Sequence, residues 1–364
     1  MNTPRTKSTA ELIADLKAQS AGTLERLRVA RMNDRFLLGS QTETRLRKSL
    51  ASVGRLDLAS TTLLTPAVHE AHAEKLKDRY LARWERIRSK KQQDWKQIPA
   101  ALRRGTPSPS DVAIANDHYC FFTLIDSVTV VSADAALHAA VRLKAELVEA
   151  VNAVTGIHCL GAIEAEVISL PIMRAIRDKN TNAPSEKRKL DVCEALATAL
   201  DDTLYRDETH LMLVHFHGVV TAKKQHQFES FRAHLRSHAR WSIAPRQIEI
   251  KKLSEQFNGI PKTVAKNLQH IATYITKGGN DWHSNAHALR YKIGFSHAED
   301  AMDEITYTQI NWRKDDALRA EHKLDGIDDA MSLTVNEIAE LALFIYKLMH
   351  TNTTGTGYLV TAGK

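Results

Sequence analysis

Three groups of residues in this chain could do chemistry together. The first is Val214-His215-Phe216-His217-Gly218. Side chains alternate on a strand, so His215 and His217 share one face and Phe216 takes the other. Two imidazoles held at the spacing of the pleat suit one divalent cation. Neutral imidazole nitrogen is a good ligand for Mn, Zn, Ni or Co, whereas Mg prefers oxygen. The plain alternative is an incidental pair, in a chain with 17 His. The second group is Glu164 and Glu166, in Gly-Ala-Ile-Glu-Ala-Glu-Val-Ile. Ile163 and Val167 take one face of that strand and both carboxylates the other. If it pairs with the His strand, as consecutive strands usually do, a carboxylate reaches the two His. That makes a two-nitrogen, one-oxygen site with positions open for phosphate or water; unpaired, it is a solvated charged face. The third group is Tyr274-Ile275-Thr276-Lys277. At ~100° per residue, Val264, Leu268, Ile271 and Ile275 form an apolar stripe, with Thr263, Asn267, His270, Tyr274 and Lys277 roughly 110° away. Tyr274 thus stands beside the packing face, with an ammonium one turn on. Such a neighbour stabilises a phenolate or neutralises a phosphate at the hydroxyl; an ordinary boundary tyrosine is the alternative.

The elements that must position these groups are legible as a pattern. Residues 118–131, 157–170, 209–220 and 246–253 are rich in β-branched and aromatic residues and read as strands. Helices are expected over 133–155, stopping at Gly156, around 185–200 behind a basic loop, and over 227–240 and 261–277. This order predicts an α+β domain: a central antiparallel sheet with helices packed mainly on one side. Residues 8–58 read as helical. Over 66–96 a long helix carries Val68, Leu76, Tyr80, Trp84 and Ile87 near one stripe, with Arg79, Arg83, Arg86, Lys90 and Lys91 largely off it. Gly-Thr-Pro-Ser-Pro-Ser at 105–110 has the composition of a linker. The expected division is therefore a basic helical, DNA-binding N-terminal region (1–110), a central domain (111–297) and a helical C-terminal region (298–364); the competing view is that helices 8–58 and 66–96 pack on the sheet, since the stripe with Tyr80 and Trp84 must bury against something. In the last, 335–350 is an amphipathic helix and the final residues are expected to fray.

Composition narrows the function classes. The 364 residues are 43% hydrophobic and 26% charged, enough for real cores. No apolar run approaches the ~20 residues of a membrane span, and the first thirty residues hold no secretory h-region. Cys120, Cys159 and Cys193 are too few and scattered for a disulfide framework or zinc cluster, so a reduced, cytoplasmic setting is expected. The net charge of +7 is unevenly spread. Residues 1–110 carry 22 Lys and Arg against 11 Asp and Glu, and the rest is slightly acidic. A basic segment on a near-neutral body suits a polyanion partner, usually nucleic acid.

Taken together and in order, these features resemble the HUH endonuclease superfamily, and within it the rolling-circle replication initiator (Rep) proteins of plasmids and phages. Phe121, Phe122, Thr123, Leu124 and Ile125 match the family's first motif strand. His215, Phe216 and His217 match the paired-His motif, and Tyr274 with Lys277 matches the Tyr-x-x-Lys helix. The resemblance covers about residues 115–280. It implies a ferredoxin/RRM-like nuclease domain in which Tyr274 and Lys277 are catalytic and His215, His217 and a carboxylate bind a divalent metal ion, Mn2+ or Mg2+. The family's carboxylate-before-Val pattern points to Glu166 rather than Glu164, and Glu208 occupies a position that supplies a ligand in some relatives. Two-tyrosine members have a second Tyr where this chain has His270, so a single-tyrosine enzyme is implied. The implied activity is nicking and religation of single-stranded or hairpin DNA at an origin through a 5′-phosphotyrosine. The chain has no G-x-x-x-x-G-K-[ST], so unwinding would fall to a host helicase, with a host polymerase extending the 3′ end. A mobilisation relaxase or single-strand transposase shares this chemistry. A non-catalytic nucleic-acid-binding protein on a ferredoxin-like sheet is the reading from another class.

Overall fold

The computed structural model describes residues 47–60 apart from 49, and 66–104, 107–168, 184–200, 210–253, 263–276, 335–352 and 356–363. Among these, β1 (Tyr119–Val130), β2 (Ile157–Ile168), β3 (Leu211–Ala222), β4 (Ile248–Lys252) and β5 (Leu359–Ala362) form one sheet in the order β4-β1-β3-β2-β5. Every pairing is antiparallel. The helices are α1 (Pro66–Gln97), α2 (Asp111–His118), α3 (Ala133–Ala153), α4 (Pro184–Leu200), α5 (His226–Ser237), α6 (Val264–Ile275) and α7 (Val335–Met349), with short turns at Leu56–Ala59 and Ala100–Arg103. The class is α+β, as expected.

Local signals account for the element boundaries. The Ser110, Ser132 and Thr263 hydroxyls accept from Ala113, Ala135 and Lys266 backbone N–H groups and start α2, α3 and α6. Gly156, at φ 83°, turns the chain from α3 into β2, a conformation that favours glycine. Pairing of β2 with β3 sets Gly161 directly opposite Gly218. A Cβ at Gly161 would meet the His217 carbonyl oxygen at 2.2 Å and the Phe216 ring at 2.5 Å. Only glycine lets the Phe216 ring lie across this pair, and the fit selects the register.

Helices cover both faces of the sheet. On the first face Phe122, Leu124, Ile163, Val214 and Phe216 meet α3, α5 and α7 in the main core. The second face carries two apolar bands. Phe121, Val219 and Leu160 are lateral neighbours in the sheet and pack under Leu76, Tyr80 and Trp84 of α1 and Leu268, Ile271 and Ile275 of α6. Toward the other end, Val128, Leu213, Leu211 and Ile168 pack under Leu190, Val192, Cys193 and Leu196 of α4. Helices mainly on one side were expected; the period-2 pattern of strands buried on both faces reads the same as one buried face when the second face is interrupted by polar residues.

Two further expectations are corrected. The basic helix of the N-terminal third is part of the sheet's own core. Trp84 meets Tyr119 edge-on at 5.7 Å, and buried Tyr80 donates to the Leu160 carbonyl at 2.7 Å. Burial pushes that phenol well above its ordinary pKa. The boundary at 105–110 therefore does not divide two cores, although 8–46 lies outside the described residues. The expected frayed tail is also ordered at its end. Tyr358, Val360 and Ala362 are buried, and β5 extends the edge beside β2. Residue alternation in Tyr-Leu-Val-Thr-Ala is that of a strand, and an unpaired β2 edge was there to receive it.

Removal of residues 1–109 is thus expected to expose Tyr119, Phe121, Leu160 and Val219 and to yield an insoluble or molten chain, visible as lost near-ultraviolet circular dichroism. In the full chain, Trp84→Ala should lower unfolding free energy by ~3–5 kcal/mol. Gly161→Ala should lower it by about 1–3 kcal/mol through overpacking. Denaturant titration reads both.

Candidate metal centre

Between the two apolar bands of the second face lies a polar interval made by three adjacent strands. Thr123 sits opposite His217, and Ile125 opposite His215; on the other side Glu164 sits opposite His215. Ligand atoms of Glu164, His215 and His217 all lie within 4.8 Å of one another. Glu164 is 1% exposed and His215 5%, and His217 is half-buried. The two rings are 4.6 Å apart between centroids, at an interplanar angle of 76°.

The hydrogen bonds around the imidazoles orient them. His217 Nδ1 is 2.9 Å from Thr123 Oγ1, and its ring stacks on Phe121 at 5.8 Å and 23°. When Nδ1–H donates to that hydroxyl, Nε2 is left to take a metal ion, and the hydrogen bond fixes the ring's tautomer and orientation. His215 Nδ1 lies 3.4 Å from the Leu213 carbonyl, which can only accept. With the proton there, His215 Nε2 presents a lone pair to Glu164 Oε2 at 3.5 Å. Neither Glu164 oxygen has a hydrogen-bond partner. A buried carboxylate costs several kcal/mol unless paired or bound to a cation. Two orphaned carboxylate oxygens converging with two imidazoles fit a divalent ion. This two-nitrogen, one-oxygen set suits Mn, Zn, Ni or Co better than Mg.

His215 and His217 are therefore together as expected from the sequence. Register favours Glu164 over the expected Glu166 as third ligand. Glu166 lies opposite Leu213, which in turn neighbours Val128, so its place in the sheet is in the apolar band beneath α4. The side chain of Glu166 lies outside the described residues, as do Glu208 and Lys277 entirely. Tyr274 lies in α6, whose apolar stripe packs on the same sheet face as the metal group; its side chain also lies outside the described residues. Sequence reasoning missed Thr123 as the group that orients His217. Its signal was a single hydroxyl in an otherwise apolar Phe-Phe-Thr-Leu-Ile run. It also missed α4, part of the long segment at 171–208, as one wall of the site.

Among the described residues no helix is long and apolar enough to cross a membrane. Comparison of the chain with known protein families, curated proteins and solved structures finds no match to any of them.

Mn2+ is expected to raise the thermal midpoint of the wild-type chain by mass action on the folded state. Glu164→Gln should abolish this increment while raising the midpoint of the metal-free protein, because a desolvated charge is removed. Glu166→Gln should leave the increment intact. Thr123→Val should weaken Mn2+ binding ~10–100-fold, with recovery in Thr123→Ser, since the hydroxyl acts through the imidazole. Isothermal titration calorimetry and differential scanning calorimetry check these outcomes.

Proposed function

We propose that the protein is a metal-assisted, single-tyrosine DNA nuclease and ligase, a rolling-circle replication initiator of the HUH type acting on single-stranded or hairpin origin DNA. The observation that carries this reading is the buried Glu164, His215 and His217 group, with orphaned carboxylate oxygens, on the sheet face that α6 also covers. Further support comes from the strand order. Within β4-β1-β3-β2, β1 and β2 run parallel with β3 between them, and a helix follows β1 and another follows β3. This is compatible with a ferredoxin/RRM-like split β-α-β frame.

A divalent ion, Mn2+ or Mg2+, held by Glu164, His215 and His217 would polarise the scissile phosphate and stabilise the charge that develops on it. The residues of the chain do the rest. Tyr274 Oη forms a bond to phosphorus, the bond from phosphorus to the 3′ oxygen breaks, the phenol proton passes to solvent, and the leaving oxygen takes up a proton. Lys277 neutralises charge beside the phenolate. The 5′-phosphotyrosine conserves the phosphodiester, so religation needs no ATP. The free 3′-OH primes synthesis by a host polymerase behind a host helicase.

Incubation of the full chain with labelled single-stranded DNA and Mn2+ is expected to give an SDS-resistant adduct mapping to Tyr274 by mass spectrometry. EDTA and Tyr274→Phe should each abolish it, with folding and DNA binding retained in Tyr274→Phe because only a hydroxyl is lost. DNA binding without any adduct in Mn2+ would instead assign a binding module.

A further inference from the structure

Helix α1 is divided into three sectors. Leu76, Tyr80, Trp84 and Ile87 pack against the sheet. Lys75, Arg79, Arg83 and Arg86 follow one another at spacings of four, four and three residues. At ~100° per residue these four cations fall within about 80° of one another, roughly 95° round from the apolar sector. Glu74, Asp78 and Glu85 gather about 120° away on the other side of the basic sector. Glu74 and Glu85 are engaged there by Lys77 and Arg88.

Neutral partners hold the basic sector in place. Arg83 Nε donates to Thr221 Oγ1 at 2.5 Å, and Arg79 Nη1 donates to Thr361 Oγ1 at 3.2 Å. Threonine hydroxyls orient the guanidinium groups without compensating their charge. Among the described residues, none of the four cations is ion-paired to a carboxylate. Exposed Lys223 and Lys224 follow Thr221 after the buried Ala222. His158 is the register partner of Thr221. Burial, and after it the charges of Arg83 and Arg79, push its pKa down to about 4.

We propose that the basic sector of α1, continued by Lys223 and Lys224, is a binding surface for the phosphodiester backbone of nucleic acid. A file of cations about one helical turn apart, ~16 Å from Lys75 to Arg86, suits a linear polyanion. Guanidinium forks match phosphate oxygens in pairs. Thr221 shares its sheet face with His217, four residues or ~13 Å along β3, with Val219 between them buried under α1 and α6. The surface is independent of whether the metal group is catalytic.

The test is binding of a labelled single-stranded oligonucleotide to the full chain in EDTA, by fluorescence anisotropy over a range of KCl. Arg79→Gln with Arg86→Gln should weaken binding about tenfold and lower the slope of log K against log salt by ~1.4, for two lost phosphate contacts. Arg79→Lys with Arg86→Lys should keep the slope. The charge-matched pair Arg142→Gln with Arg236→Gln, exposed on α3 and α5, should bind as wild type. Circular dichroism confirms that each variant is folded. An unchanged slope in the α1 variant, or an equal loss in the α3/α5 variant, overturns the proposal. So does displacement by polyglutamate as effective, charge for charge, as by unlabelled oligonucleotide. A duplex arm shows which form of nucleic acid is preferred. In the wild-type chain, intact binding in EDTA with no adduct in Mn2+ counts against the nuclease alone.

Discussion

A phenylalanine ring lying over two opposed glycines governs much of this molecule. Phe216 occupies the space that side chains at Gly161 and Gly218 would fill, on the face where the main core forms. Shifting β2 against β3 by one residue would drive a Cβ into backbone and turn every side chain of the strand to the wrong face. With the glycines opposed, antiparallel pairing sets Glu164 against His215. The register of a hydrophobic contact on one face thus determines a polar cluster on the other.

That cluster is expensive to bury, and its surroundings show how it is tolerated. Along each of β1, β2 and β3 the second face runs from apolar through polar to apolar. α1 and α6 cover one band and α4 the other, so the polar interval has a helical wall at each end. His217, in contact with Thr123 and Phe121, is the most exposed of the three ligand residues. The low-dielectric walls strengthen any charge interaction between them.

The chain ends reinforce this arrangement from the first face and the edge. The Glu340 carboxylate accepts from the Ala133 N–H at the start of α3, and Lys347 reaches Asp134. His210, just before β3, meets Glu337 at 3.0 Å, while Lys144 donates to the Gly357 carbonyl. These contacts join α7 and β5 to the strands that carry the ligands. At the bulge in β1 between Ile125 and Ser127, Asp126 accepts from Trp241 and Arg240. The bulge interrupts the ladder beside His215, and these contacts hold the turn after α5 against it.

Much of this was legible in the residues alone. Alternation and helical spacing located β1 to β4, α1, α3 to α7 and the pairing of His215 with His217, because period and propensity are local properties of the chain. The α+β class followed from their order. Which carboxylate stands beside the imidazoles did not follow, since Glu164 and Glu166 have the same parity and register sets Glu164 opposite His215. Thr123 was noted only as part of a motif strand, not as the partner of His217, for the same reason: that contact depends on which residue lies across the ladder. The apparent linker at 105–110 was misleading because composition describes flexibility of a segment, whereas Trp84 and Tyr80 reach the sheet through space. β5 escaped notice because a strand of four residues acquires its stability from the edge it joins. Sequence determined the elements and the ligand types; contacts between segments distant in the chain decided which carboxylate meets the imidazoles, because that choice is made by packing across strands and not along them.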